Sequence, residues 1–338
     1  MGSSPIGGTI SINPNKEIDV ITRKLGPWQL SAIGIGCMNP SWAGGTALEL
    51  GTRASSAIPA LHAAMDSGIT LFDTADIYAP TWNSYGHNEK FVAEALRTWT
   101  GTKEQKEKIV IATKGGIARR PGEIWGRNGS LDYLLRAVEA SAERLGVQKI
   151  QLWQHHRLDP TIEFETQFEN VLALKQQGLI EQIGVSNYNA KQLEIAIKLG
   201  GTPEQGGVVS VQNELSPRYR HELDVLDLCE KHGIAFLPWS PLGGSTNKAE
   251  VTQGKVGVFE SIGANYGLSP YATALAWLLK LSPTIIPIPG ATRVESVLDC
   301  VSALSVELSA EDFETVNASL PQSVPASPEL LPAPAYRV

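Results

Sequence analysis

The sequence predicts an α/β protein built as one closed parallel (β/α)8 barrel. Three observations predict it: eight short apolar runs, amphipathic helical segments between them, and a spacing of about 35 residues from one run to the next. Several runs are apolar at consecutive positions, as expected for strands that are covered on both faces. A chain of 338 residues with 42% hydrophobic residues suffices for such a barrel with insertions.

The predicted strands cover 33–37, 70–74, 109–113, 151–155, 182–186, 208–212, 235–239 and 284–288. The clearest helical segments cover 130–145, 162–177 and 222–232. The first begins at Ser130, a suitable N-cap, and the other two are followed by Gly178 and Gly233, which suit a helix C-terminus. An open doubly wound sheet is the competing architecture. It usually carries a glycine fingerprint after its first strand, but GIGCMN has Asn39 in place of a third glycine.

The segments outside the barrel are predicted separately. Residues 18–32 resemble a short hairpin that closes the bottom of the barrel. We expect a flexible segment at 1–17, a single domain at 18–317, and at 318–338 a Pro-rich C-terminal extension, either a tail or an active-site flap.

Composition limits the classes of function. A net charge of −7 and a pI near 5.5 argue against nucleic acid or an anionic membrane as the main partner. The three cysteines are odd in number and show no CxxC spacing, which favours a reducing compartment and gives no sign of a metal site. No apolar run approaches the roughly 20 residues of a membrane span, and the first residues lack a secretory pattern. We therefore expect a cytoplasmic monomer or small homo-oligomer that acts on a small molecule.

The working face of such a barrel lies at the carboxyl ends of its strands. There the second strand presents Asp73 and, five residues on, Tyr78; the third presents Lys114; and the fourth presents His155 and His156. Each could be structural, since a strand-end Asp often caps a loop and a buried Tyr often only hydrogen-bonds. Together they form a proton donor: a cation held by a carboxylate lowers the pKa of a phenol, and an imidazole orients a carbonyl oxygen.

Later strand ends carry groups that suit a nicotinamide cofactor as the hydride source. Ser186, Asn187 and Gln212 can hold a carboxamide, and Trp239 can stack on a flat ring. The next residues, Ser240, Leu242, Gly243 and Gly244, can wrap a pyrophosphate through backbone amides, with Pro241 as a further expected cofactor contact. Gly290 with Arg293 opens a helix that favours phosphate.

The motifs DTADIY, ATKGG, QHHRLDP, IGVSN, VQNELSP, PWSPLGG and IPIPG occur in this order, and with them the chain resembles the aldo-keto reductase superfamily from about Lys24 to about Leu308. The resemblance implies NAD(P)H bound across the barrel mouth and a catalytic tetrad of Asp73, Tyr78, Lys114 and His156. His156 is preferred to His155 because it directly precedes Arg-Leu-Asp-Pro. The resemblance also implies cofactor contacts from Met38, Asp73, Ser296, Asp299 and Cys300, in addition to the residues above.

The sequence departs from the family pattern in two places. Near the adenosine end, Ser296 stands where an arginine is usual and Cys300 where an asparagine is usual, leaving Arg293 as a clamp for a 2′-phosphate. NADP(H) is therefore favoured over NAD(H). The loop after Tyr78 is longer than usual, and Tyr85 opens a second family-like run, YGHNEK, so either tyrosine could be the acid; the five-residue step from Asp73 favours Tyr78.

Substrate identity depends on the loops, where Trp42, Trp82, Tyr85 and Trp125 could line an aromatic pocket. The leading hypothesis is an NAD(P)H-dependent reductase of an aldehyde or ketone. The first alternative is a nicotinamide-binding regulatory subunit with little turnover, like the potassium-channel β-subunits of the same superfamily. The second is a metal-dependent hydrolase using Asp73, His155 and His156, although adjacent histidines on a strand point to opposite faces.

Overall fold

The structure is a computed structural model that describes residues 20–41, 47–244, 257–320 and 322–323, with backbone alone for 47–56. The predicted segment 1–17, the candidate pocket residue Trp42 and the predicted tail beyond residue 323 lie outside the described residues.

The strands within the described ranges are β1 (Thr22–Leu25), β2 (Trp28–Ser31), β3 (Ile35–Gly36), β4 (Leu71–Asp73), β5 (Val110–Gly115), β6 (Ile117–Arg120), β7 (Ile124–Arg127), β8 (Ile150–His155), β9 (Ile180–Ser186), β10 (Val208–Gln212) and β11 (Ala235–Phe236). Seven of them form one parallel sheet in the order β3-β4-β5-β8-β9-β10-β11. These are the first seven predicted barrel strands, of which β3, β4 and β11 are shorter than predicted.

The eighth predicted strand closes the barrel without forming a regular strand. Its segment bridges β11 at Phe236–Ile285 and β3 at Gly36–Gly290. Pro287 and Pro289 have no N–H to donate, but their carbonyls accept from the amides of Gly34 (2.9 Å) and Gly36 (3.0 Å). A Cβ on Gly36 would lie 2.8 Å from the carbonyl oxygen of Ile288, so the closure needs glycine at this position. The predicted (β/α)8 barrel is confirmed.

The helices within the described ranges are α1 (Ala47–Asp66), α2 (His87–Thr98), α3 (Lys103–Glu107), α4 (Leu131–Leu145), α5 (Phe164–Gln176), α6 (Ala190–Gly200), α7 (Leu223–His232), α8 (Gly257–Tyr266), α9 (Pro270–Leu281), α10 (Val294–Ser302) and α11 (Ala310–Ser319). Asn189 caps α6 in a capping box, and Gly233 ends α7 in the left-handed conformation. Ser130 stands at the N-cap of α4, but its hydroxyl donates to Asn128 Oδ1 (2.7 Å) instead of accepting a bond from the helix.

The predicted N-terminal hairpin is β1–β2, and it closes the amino-terminal end of the barrel. The Ser31 amide donates to Thr70 Oγ1 (2.9 Å), just before β4 begins. Leu25 and Leu30 pack into the barrel interior with residues of the barrel wall, among them Leu71, Val110, Leu152, Val209 and Ile286. A second, larger apolar layer separates the strands from the helices. Apolar side chains therefore fill the interior at the amino-terminal end of the barrel. Its polar end lies at the carboxyl ends of the strands.

The antiparallel hairpin β6–β7 was not predicted. It lies within the loop 115–130, pairing Ile117 with Arg127 and Arg120 with Ile124. Its turn contains Gly122 at φ +81° and Glu123 at φ +62°. Of the helices in the described ranges, none is long and apolar enough to cross a membrane.

Candidate active site

The site arises where inward-facing positions of neighbouring strands change from apolar to polar. Leu71, Ala112 and Leu152 face the packed interior. Two residues further along β4, β5 and β8, on the same face, stand Asp73, Lys114 and Gln154. Because the strands pair in parallel, with Lys114 opposite Gln154, these polar groups meet at one end of the barrel.

Lys114 and Asp73 form a buried ion pair at the centre of this group. Lys114 Nζ lies 2.7 Å from Asp73 Oδ2, with the two side chains 0% and 4% exposed. The ammonium also donates to the carbonyl of Thr74 (2.9 Å) and to the hydroxyl of Tyr78 (3.1 Å). An ammonium has three donors, so these three bonds satisfy it completely.

Two buried amides complete the pairing of Asp73. Its Oδ1 accepts from Gln212 Nε2 (2.8 Å) and Gln154 Nε2 (3.0 Å), and Gln212 also donates to Gln154 Oε1 (3.2 Å). Sequence reasoning missed Gln154, although its position on the same face as Leu152 was a usable signal. Gln212, predicted to hold a carboxamide, uses its amide N–H groups on Asp73 and Gln154.

Tyr78, and not Tyr85, is the tyrosine whose hydroxyl reaches Lys114. The Lys114 ammonium also lies 4.8 Å from the centroid of the Tyr78 ring. Tyr78, Tyr85 and Trp125 all pack against a small apolar cluster of Ala75, Ile77 and Ile117.

Two opposing effects set the pKa of Tyr78. Burial raises this pKa above its ordinary value of about 10, and the charge of Lys114 only partly opposes the rise. The cation thus lowers the pKa as predicted, but burial, which the prediction did not include, has the larger effect. Burial also acts to lower the pKa of Lys114, but there the charges of Asp73 and Tyr78 outweigh it, so the pKa of Lys114 is raised.

The two adjacent histidines occupy different environments, as strand alternation predicts. His155 is buried behind the strand, stacked on Trp153, with Nδ1 2.8 Å from the Tyr188 hydroxyl. His156 lies edge-on to the Tyr78 ring, with 5.8 Å between centroids. Burial lowers the pKa of His155 to about 4. Burial, with the charges of Lys114 and Arg157 next, holds the pKa of His156 well below 6.5.

A second charged cluster lies behind the tyrosine loop. Glu89 of α2 is fully buried and accepts from Thr113 Oγ1 (2.5 Å), beside Lys114, and from the Arg144 guanidinium of α4. Burial, and then the charge of Glu89, raises the pKa of nearby Asp76 well above its ordinary value. This cluster joins α2 and α4 to the strand that carries Lys114.

The predicted nicotinamide residues form a hydrogen-bonded rim over β9, β10 and β11. Ser186 Oγ donates to the carbonyl of Gln212 (2.8 Å). Asn187, at φ +60°, donates to the carbonyl of His156 (3.2 Å) and accepts from Trp239 Nε1 (3.1 Å). Left-handed backbone at a non-glycine residue costs energy and persists where the surroundings enforce it. The rim is therefore linked directly to His156.

The predicted pyrophosphate segment continues this rim as a tight turn. Ser240 adopts φ +50°, its carbonyl accepts from the Gly243 amide (2.8 Å), and Pro241 and Leu242 are buried between them. Across the barrel closure, a Cβ on Gly290 would lie 2.7 Å from Asn39 Nδ2, in the turn that follows half-buried Met38.

The residues predicted for the adenosine end divide into two groups. Arg293 is exposed at the N-cap of α10 and donates to Ser296 Oγ (3.3 Å). Asp299 accepts from Ser269 Oγ (2.8 Å), the hydroxyl that caps α9, and Cys300 is buried in the layer between sheet and helices. Of these four residues Arg293 is exposed, Ser296 and Asp299 are half-buried, and Cys300 is buried.

Of the predicted substrate-pocket residues, Tyr85 and Trp125 pack against the same small apolar cluster as Tyr78, and Trp82 is exposed in the loop between Tyr78 and Tyr85. Among the described residues there is no group of three or more His, Cys, Asp or Glu side chains that could hold a metal ion. The arrangement can hold and move one proton at the Tyr78 hydroxyl, with a buried cation and a neutral imidazole beside it.

Comparison with known proteins gives the family that the sequence motifs resemble. The model of the Aldo/keto reductase family matches residues 32–321. An uncharacterized oxidoreductase of Schizosaccharomyces pombe is 32% identical over 292 residues, which cover 86% of this chain and 87% of that protein. A probable aldo-keto reductase of Glycine max is 29% identical over 319 residues, covering 87% and 86%.

Solved structures show the shared fold. A thermostable aldo-keto reductase in complex with the inhibitor epalrestat has a TM-score of 0.70 at 26% identity, covering 88% of this chain and 99% of that one. An aldo/keto reductase of Klebsiella pneumoniae in complex with NADP and acetate has a TM-score of 0.71 at 22% identity, covering 90% and 97%. The barrel, the strand-end residues and these similarities agree, and the chain belongs to the aldo/keto reductase family.

Proposed function

We propose that the protein is a nicotinamide-dependent oxidoreductase that reduces an aldehyde or ketone to the alcohol, or catalyses the reverse, with Tyr78 as general acid and base. One observation carries the proposal: the connected chain from Asp73 through Lys114 to Tyr78, in which the buried ammonium donates to the phenol oxygen at 3.1 Å. An ion pair with a purely structural role would not need a phenol hydroxyl as a further hydrogen-bond partner of its ammonium.

The electrostatics suit a proton donor. Because burial raises the pKa of Tyr78, the phenol is protonated at neutral pH and can donate to a carbonyl oxygen. The phenolate that remains is stabilised by Lys114, which Asp73 keeps charged and in place. In the oxidative direction the same oxygen takes the proton from the alcohol.

His156 supports the same step as a neutral hydrogen-bonding group. Its lowered pKa keeps the imidazole uncharged near neutral pH. Its ring lies against Tyr78, and its buried Nδ1 has no hydrogen-bond partner among the described residues. We assign it the orientation of the substrate oxygen next to the Tyr78 hydroxyl.

The residues fit a nicotinamide cofactor, which supplies the hydride when bound. Ser186, Asn187 and Trp239 form a contiguous polar and aromatic rim beside His156, followed by the backbone turn at Ser240. At the far end, exposed Arg293 suits a 2′-phosphate, so we favour NADP(H) over NAD(H). The Klebsiella pneumoniae structure in complex with NADP supports this class of cofactor.

The substrate is proposed to be a small carbonyl compound or alcohol, which the protein meets in the cytoplasm. A substrate with an aromatic or extended apolar group is favoured by Tyr85 and Trp125, which pack on the same apolar cluster as Tyr78, and by exposed Trp82 in the loop between the two tyrosines.

The test is a panel of aldehydes, ketones and alcohols assayed with NADPH and NADH, using wild type, Tyr78→Phe and Tyr85→Phe. Tyr78→Phe removes only the hydroxyl, so we expect kcat to fall about 10²- to 10⁴-fold while cofactor binding, followed by tryptophan fluorescence, persists. Tyr85→Phe should retain most of kcat.

Full activity in Tyr78→Phe would show that the acid is misassigned. Cofactor binding without turnover on any carbonyl or alcohol would instead favour the regulatory-subunit alternative.

A further inference from the structure

The side chain of Arg119, on the hairpin β6–β7, binds the loop that follows Tyr78. Its Nη1 donates to the carbonyl of Ala79 (2.9 Å) and its Nη2 to the carbonyl of Pro80 (3.1 Å). The Arg119 side chain is only 7% exposed. The planar guanidinium thus binds the carbonyls of the two residues that follow Tyr78.

Arg119 is itself held by two neighbours on the hairpin. It forms an ion pair with Glu123, and its guanidinium carbon lies 4.5 Å from the centroid of the Trp125 ring. Glu123 also accepts from the Trp82 amide (3.1 Å) through its other oxygen. Hairpin and loop are therefore cross-linked at residues 79, 80 and 82, and Glu123 takes part at a left-handed φ of +62°.

The contacts of Tyr78 show why this matters for its hydroxyl. On one side the phenol oxygen is held by Lys114, which is part of the rigid barrel. On the other, the backbone beyond Tyr78 leaves the barrel in a loop that the hairpin holds through Arg119. A displacement of about 1 Å in a reacting group can cost about 10²-fold in rate. The phenol oxygen and the backbone beyond Tyr78 are thus held by two different parts of the protein.

We propose that Arg119 is a positioning residue for the proton transfer by Tyr78, acting through the backbone of Ala79 and Pro80 without touching substrate. This inference rests on the proposed function. The arrangement needs arginine, because two carbonyls and a carboxylate are bound from one planar group, which the compact ammonium of lysine cannot reproduce.

The test is a double-mutant cycle of Arg119→Met with Tyr78→Phe, using a carbonyl substrate found in the panel. In the wild-type background Arg119→Met should lower kcat about 10- to 100-fold, with the Kd for NADPH changed less than about threefold. In the Tyr78→Phe background the same change should alter the residual rate by less than about twofold, because the group it positions is gone.

Matched variants separate positioning from general damage. Arg119→Lys should lose an intermediate amount of kcat. Arg97→Met removes an Arg–Glu pair (to Glu94, 2.6 Å) on the exposed face of α2 and should leave kcat unchanged. If Arg119→Met does not fold, Glu123→Gln serves in the same cycle, since it weakens the support of Arg119 and keeps an acceptor for the Trp82 amide. Its smaller loss of kcat should also vanish in Tyr78→Phe.

Equal losses in the two backgrounds would overturn the inference, because Arg119 would then act independently of Tyr78. An unchanged kcat in Arg119→Met would also overturn it. Full activity in Tyr78→Phe alone would instead overturn the proposed function, and with it this inference.

Discussion

Lys114 shows how a charge is kept in the interior of the barrel. Each of its three donors has a partner, and the carboxylate it faces is bonded in turn by Gln154 and Gln212. A buried ion pair stabilises little in net terms, but removal of one partner leaves the other charge unpaired. The pair therefore holds Tyr78 in position more than it stabilises the fold.

Lys114→Met should lower the free energy of unfolding by about 3–5 kcal/mol, because Asp73 is left buried without its cation. Adding Asp73→Asn should recover part of that loss, since an amide oxygen can still accept from the two glutamines. Activity should stay lost in both variants. Denaturant unfolding measures the stabilities, and a cost below about 1 kcal/mol for Lys114→Met would contradict the argument.

At the scale of elements, the tyrosine loop is joined to the barrel where α2 begins. Gly86, the N-cap of α2, adopts φ +73°, and its amide donates to the Asp76 carbonyl (2.7 Å). A Cβ there would lie 1.9 Å from Arg144 Cδ and 2.0 Å from Arg144 Nε, the atom that donates to the buried carboxylate of Glu89. Backbone conformation and ion pairing thus require glycine at the same point.

Gly86→Ala should therefore lower the free energy of unfolding by about 3 kcal/mol or more, because it combines left-handed backbone strain with loss of the buried Arg144–Glu89 pair. Gly146→Ala is the matched control: its φ is +69°, but nothing lies within 4 Å of its added Cβ. That variant should lose only about 1 kcal/mol. Thermal unfolding of both variants measures the difference, and equal losses would show that the contact with Arg144 is unimportant.

On the scale of the whole molecule, the barrel divides into a dry lower layer and a polar upper rim. The hairpin β1–β2 fills the lower opening with Leu25 and Leu30, whereas titratable side chains stand at the upper end and behind it. The histidine pair lies at that boundary, and burial keeps both imidazoles neutral near pH 7. Protonation of these histidines in acid should therefore lower the free energy of unfolding.

The linkage between protonation and folding gives the sign of this pH dependence. The pKa of His155 falls from 6.5 to about 4 on folding, so its contribution to stability is fully present above about pH 6.5 and is lost as pH falls toward 4. His155→Gln should lessen the pH dependence of the free energy of unfolding in this window by up to about 1.4 kcal/mol per pH unit. Parallel curves for wild type and variant, measured by denaturant unfolding from pH 4 to 7, would contradict this.

Local pattern accounts for most of the fold and for the central residues of the candidate site. Strand alternation and strand-end position were enough to select Asp73, Lys114 and the histidine pair, and the hairpin β1–β2 was read from its position before the first strand. Gln154 could have been found by the same alternation. Arg119 could not, because its partners are backbone carbonyls some 40 residues away, and such contacts leave no local pattern.

The sequence by itself determined the barrel, the polar ends of its strands and the family, because periodicity and strand-end residues are local properties. Only the tertiary structure decided which tyrosine meets Lys114, in which direction its pKa moves, and how the eighth segment closes the barrel around two prolines. These depend on distance and burial between residues far apart in the chain, and both quantities exist only once the chain has folded.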